Sequence, residues 1–67
     1  MVAFTLNGAP YSMAAGSTLG DLVDTLGLHG QALALAVDRT VVRRDQWLER
    51  AIAPGERIDL VRAIGGG

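Results

Sequence analysis

Thr18-Leu19-Gly20-Asp21-Leu22-Val23-Asp24-Thr25-Leu26-Gly27-Leu28 is the stretch on which the fold turns. Leu19, Leu22, Val23 and Leu26 stand at i, i+3, i+4 and i+7, which is one apolar face of a helix. Thr18 offers a hydroxyl and Asp21 a carboxylate three residues later, the spacing of a capping box. Asp21 also sits in the first turn, where the helix dipole favours an anion. Gly27 suits the left-handed position that ends a helix, and Leu28 can then fold back on Val23 as a Schellman stop. Asp21 and Asp24 lie off the apolar face and read as a solvated surface. The spacing therefore predicts one short helix, and nothing else in the chain has its period.

Upstream, Val2-Ala3-Phe4-Thr5-Leu6 alternates, Asn7-Gly8 follows, and Tyr11 and Met13 resume the alternation beyond Pro10. Asn-Gly between alternating runs is a hairpin signal, because both turn residues must accept a positive φ. Pro10 has no N–H to give a sheet, which predicts an edge position for the second strand. Ala14 to Ser17 is a connection. Downstream, Leu33-Ala34-Leu35-Ala36-Val37 alternates as a strand, Asp38-Arg39-Thr40 turns, and Val41-Val42 makes a short return. Asp45-Gln46-Trp47-Leu48 suits a brief helical turn, with Trp47 closing the core. Pro54-Gly55 has the residues of a type II turn. Ile58-Asp59-Leu60-Val61-Arg62-Ala63-Ile64 is the last strand, and it runs into Gly65-Gly66-Gly67.

The order β-β-α-β-β-β has one helix, too little to cover two sheets. One mixed sheet packed on one face by that helix is the economical solution. The first strand has a clean alternation and the last is the longest and most apolar, so both are expected to be central and adjacent. Their pairing is parallel if the helix supplies the crossover. That arrangement is an α+β β-grasp of about five strands, expected over residues 1–64, with 65–67 as a flexible C-terminal glycine tail. Val2, Phe4, Leu6, Leu33, Leu35, Val37, Ile58, Leu60 and Ile64 are expected to meet the helix. Ala3, Thr5, Ala34, Ala36, Val61 and Ala63 are expected on the open face. Small apolar residues on an open sheet suit docking to another protein, although a sheet also leaves such residues outside without any purpose.

Composition narrows the chemistry. Sixty-seven residues allow one small core. There is no cysteine, which excludes a disulfide, the usual zinc sites, and a thiol nucleophile or persulfide. His29 is the single histidine and reads as an exposed loop residue after the helix. Six arginines spread among seven acids give a net charge of −1, unlike the basic stripe of a nucleic-acid binder. No apolar run spans a membrane and no signal peptide is visible, so a cytoplasmic protein is the expectation. No metal set and no base–nucleophile pair stands out.

The tail carries a different possibility. A terminal glycine leaves an α-carboxylate with no Cβ beside it, able to thread a narrow channel. Three extended residues reach about 10 Å, and glycine makes the reach sterically cheap but entropically costly to order. A partner would have to supply that ordering free energy through the folded surface. A glycine run at an end also reads as a frayed terminus, and the tail alone does not separate the two.

The whole chain resembles the ThiS family of small sulfur carriers of thiamine thiazole biosynthesis. The resemblance rests on the length, Asn7-Gly8, Gly16-Ser17-Thr18-Leu19 leading into the helix, and Leu35-Ala36-Val37-Asp38. It continues through Val41-Val42-Arg43-Arg44-Asp45-Gln46-Trp47, Pro54-Gly55-Glu56-Arg57-Ile58 and the Gly-Gly end. Departures are Arg43, where many members have Pro, Asp38-Arg39 in place of a common Asn-Gly, and the additional Gly65. The resemblance implies a ubiquitin-like carrier, itself no enzyme and binding no cofactor. Its Gly67 carboxylate would be adenylated by a ThiF-type enzyme consuming ATP, then converted with a sulfur-donor enzyme to a thiocarboxylate. A ThiG-type thiazole synthase would accept the sulfur. Gly65 and Gly66 would give access, and Val61, Ala63 and Ile64 would touch the partner. A MoaD-like carrier for molybdopterin, another thiocarboxylate or ubiquitin-like carrier, and a non-covalent β-grasp interaction module are the alternatives.

Overall fold

The computed structural model describes residues 1–62. Its elements are β1 (Val2–Leu6), β2 (Ala9–Met13), α1 (Leu19–Thr25), β3 (Leu33–Val37), β4 (Thr40–Val42), a 3-10 turn (Arg44–Gln46) and β5 (Arg57–Arg62). The five strands form one sheet in the order β2-β1-β5-β3-β4. β1 and β5 are central and parallel, with Thr5 opposite Arg57 and Leu6 opposite Ile58. Both hairpins are antiparallel, and β3 also pairs antiparallel with β5 from Val37–Ile58 to Leu33–Arg62. This is the β-grasp that the element order predicts. β2, which carries Pro10, is an edge strand, where a missing N–H costs no ladder bond.

Helix α1 is built as its sequence dictates. The Asp21 backbone N–H donates to Thr18 Oγ1 at 3.2 Å, and the Thr18 N–H donates to Asp21 Oδ2 at 2.9 Å. At the other end the Leu28 N–H donates to the Val23 carbonyl at 3.1 Å and the Gly27 N–H to the Asp24 carbonyl at 3.0 Å, with Gly27 at φ +71°. These two bonds are the Schellman pattern. They stop the helix at Thr25, with Leu26 as its C-cap, so the helix ends one residue sooner than its apolar period, although Leu26 still packs against the core.

Leu19, Leu22, Leu35 and Ile58 are fully buried, and Val2, Phe4, Met13, Val23, Val37, Trp47 and Ile52 complete the core. Each fully buried aliphatic side chain contributes about 1.5–3 kcal/mol relative to exposure. Leu6, Leu26, Leu33 and Leu60 pack against this core while remaining partly exposed. Trp47 closes it as expected, and its Nε1–H donates to the Val42 carbonyl at 2.9 Å. Ile52 has no periodic neighbours to announce it. It is held because the Leu19 N–H donates to the Arg50 carbonyl and the Ile52 N–H to the Ser17 carbonyl.

Three boundaries differ from the sequence expectation. Thr40 belongs to β4, because Val37 and Thr40 pair directly across the two-residue turn Asp38-Arg39. Arg57 opens β5, recruited by its pairing with Thr5. The helical turn is 3-10 and begins at Arg44, with Trp47 as its C-cap. Ile64, expected in the last strand and core, lies outside the described residues, as do Ala63 and the tail at 65–67. No described helix is long and apolar enough to cross a membrane.

Candidate functional site

Side chains of β5 alternate between the two faces of the sheet. Ile58 and Leu60 turn to the helix, which puts Arg57, Asp59 and Val61 on the open face. Val61 is 62% exposed and pairs with Ala34 of β3, itself exposed. Val41 of β4 is 73% exposed and stands opposite Ala36, which in turn stands opposite Asp59. Ala3 and Thr5 extend the open face across β1, both exposed. The expected surface of small residues is therefore present in its described part. It is not uniformly apolar. Arg57 Nε and Asp59 Oδ2 lie 3.3 Å apart in its middle. Both were legible from the alternation that placed Val61, since they stand two and four residues before it, but they are charged and so lie outside a pattern of apolar residues. Val41 was legible only as strand, not as a member of this face.

β5 is clamped from both sides through its backbone. The Leu60 N–H donates to Asn7 Oδ1 at 2.8 Å, and the Arg57 N–H donates to Asp38 Oδ1 at 2.9 Å. The Asp38 N–H returns a bond to the Arg57 carbonyl at 2.7 Å, and the Asn7 N–H one to the Ile58 carbonyl at 2.9 Å. β5 runs on past the end of β1, which stops at Leu6, and reaches Arg62 paired with β3. The strand that leads into the glycine sequence is thus held by the first residue of each hairpin turn.

Beside the end of β5 an open groove of about 500 Å³ is lined by Gly30, Gln31, Ala32, Leu33, Ala34, Arg44 and Val61. Arg44 closes one side: its Nη2 donates to the Gln31 carbonyl, and its guanidinium lies 4.9 Å from the Trp47 ring centroid. This cation–π contact fixes an otherwise exposed arginine against the core. Arg44 thereby ties the loop before β3 to the segment after β4. His29 is exposed in that loop, with Nδ1 3.2 Å from Asp24 Oδ1.

The family model described as "ThiS family" matches residues 4–67. The chain belongs to the ThiS family. It is 33% identical over 61 residues to the sulfur carrier protein ThiS of Escherichia coli (strain K12), an alignment covering 91% of this chain and 92% of that protein. The crystal structure of the thiamine biosynthesis protein (ThiS) from Geobacter metallireducens superposes with a TM-score of 0.82 and covers 98% of this chain and 100% of that one. At 19% identity that second likeness is one of fold. Of the residues that the ThiS resemblance singles out, Val61 is described and lies on the open face. Ala63, Ile64, Gly65, Gly66 and Gly67 are outside the described residues.

Proposed function

We propose that this chain is a sulfur carrier for thiamine thiazole formation, reacting through the α-carboxylate of Gly67. A carboxylate is a poor electrophile. One of its oxygens attacks the α-phosphorus of ATP in a ThiF-type enzyme, and pyrophosphate leaves. A hydrosulfide-level sulfur nucleophile, delivered by a donor enzyme, then attacks the acyl-adenylate carbon. AMP departs with the former carboxylate oxygen, the sulfur loses its proton, and a thiocarboxylate remains. A ThiG-type thiazole synthase takes the sulfur. The chain is a cosubstrate in this scheme, and the ATP is the partner's.

Membership of the ThiS family carries the reading, and the geometry of β5 supports it. A strand clamped at Arg57 and Leu60 gives a fixed origin for a short reactive end, so docking of the folded surface also aims the tail. The absence of cysteine suits a carrier whose sulfur rides on a backbone carbonyl carbon. Gly65 and Gly66 then serve passage through a channel that a side chain would block.

Intact mass after incubation with a ThiF-type enzyme, ATP and a sulfide source tests the scheme. The expected gain equals one oxygen exchanged for one sulfur. A variant with one residue appended after Gly67 is expected to keep its unfolding temperature and gain nothing. Normal sulfur loading of the extended variant would overturn the tail mechanism.

A further inference from the structure

The arginines are not equivalent. Arg43 lies 3.1 Å from Asp45, Arg50 2.7 Å from Glu56, and Arg57 3.3 Å from Asp59. Among the described residues, Arg39, Arg44 and Arg62 have no such carboxylate. Arg39 stands in the β3–β4 turn, beside the beginning of β5. Arg44 and Arg62 both belong to the other end. Arg62 is the β5 partner of Leu33, and Arg44 bonds the Gln31 carbonyl two residues before it. Arg62 alternates onto the same face as Ile58 and Leu60, which is the helix side, where Arg44 also lies against Trp47. In a chain of net charge −1, two guanidiniums with no carboxylate partner among the described residues thus border the point where β5 ends.

We propose that Arg44 and Arg62 form a cationic rim at the end of β5 that receives a carboxylate-bearing segment of the adenylating enzyme. This deepens the carrier reading and rests on it. The groove between Val61 and Arg44 joins the rim to the open face, so one partner surface wraps the strand end, apolar against Val61 and acidic against the arginines. A guanidinium presents five donors in a planar fork suited to bidentate carboxylate pairing, and among the described residues Arg44 spends one of them on the Gln31 carbonyl. The nucleotide phosphates are not the anion met here. A channel that draws residues 63–67 out extended holds the Gly67 carboxylate about 17 Å from Arg62, beyond direct contact with an arginine side chain. Rim charges act chiefly on the encounter rate and its salt dependence, which gives the rim a signature that packing at Val61 lacks.

The test is the association rate of the full chain with the ThiF-type enzyme, followed by stopped flow between 25 and 300 mM NaCl (about 19 to 6 Å of screening length). The wild-type rate is expected to fall with salt. Arg62→Glu is expected to lower the low-salt rate about tenfold and to flatten the salt dependence. Arg44→Gln should act in the same direction, while Val61→Asp mainly raises the dissociation rate. Thermal unfolding checks each variant. Should Arg44→Gln fail to fold, the exposed Arg62→Glu decides alone. Unchanged or faster association of folded Arg62→Glu would overturn the rim, and normal sulfur loading of the wild type beside that result would leave the carrier reading standing. A wild-type chain that neither binds nor gains sulfur, with an enzyme active on its own carrier, removes both.

Discussion

Asn7 Oδ1 accepts a hydrogen bond from the Leu60 backbone N–H at 2.8 Å, joining residues 53 positions apart. Asn7 is at φ +51° and Gly8 at φ +84°, the two positive values of a type I′ turn. One side chain therefore serves both the hairpin and the strand beside it. Asp38 repeats the arrangement in the second hairpin, at φ +50°, accepting from the Arg57 N–H. The central strand is gripped by the first residue of each turn.

Asn7→Ala is expected to destabilise the domain by about 2 kcal/mol. A left-handed residue without a polar side chain costs roughly 1–2 kcal/mol, and the lost hydrogen bond about 1 kcal/mol. For a domain of this size each kcal/mol lowers the midpoint by about 4–8 °C. Asn7→Asp keeps the acceptor and should lose less than half as much. Thermal unfolding by circular dichroism reads both; an unchanged midpoint for Asn7→Ala would show that neither the clamp nor the left-handed turn residue contributes.

Arg39→Gly is expected to stabilise. Arg39 stands at φ +69°, a conformation costing a side-chain-bearing residue roughly 1–2 kcal/mol. The greater freedom of glycine in the unfolded chain takes back about 0.5–1 kcal/mol. The net is a gain of about 0.5–1 kcal/mol, read as a higher midpoint in urea with an unchanged slope. A lower midpoint would mean that the strain at Arg39 is relieved within the turn.

Arg43→Pro is expected to be accepted. Arg43 has φ −67° and ψ 148°, inside the range proline fixes, and Val42 before it is extended, as a residue preceding proline must be. The ion pair lost with Asp45 is exposed on both sides and worth little. Stability should rise by about 0.4–1 kcal/mol through the unfolded state. A loss beyond 1 kcal/mol would show that the Arg43 N–H or side chain holds something the geometry does not reveal. The backbone at Arg43 is thus already shaped for proline.

Val61→Asp separates binding from folding. Val61 is 62% exposed, so the stability change should stay within about 0.5 kcal/mol. Affinity for the ThiF-type enzyme is expected to fall at least tenfold, because a charge enters an apolar contact. Calorimetric titration measures it, and an unchanged affinity would move the docking face elsewhere.

Whatever depends on neighbours a few residues apart could be read from the chain before it folds. The capping box of Thr18 and Asp21, the Schellman stop at Gly27, both hairpin turns and the strand faces are short-range consequences of side-chain chemistry and period. Even the central, parallel placement of β1 and β5 was legible, because one short helix leaves few ways to cover one sheet. The motifs quoted for the ThiS resemblance also sit in the sequence, and the family match bears out the resemblance. The tertiary structure alone decided the rest. That Asn7 and Asp38 grip β5, that Ile52 enters the core, and that Arg44 reaches the Gln31 carbonyl all depend on register between distant segments. Periodicity says which way a side chain points; only the closed fold says what stands opposite it.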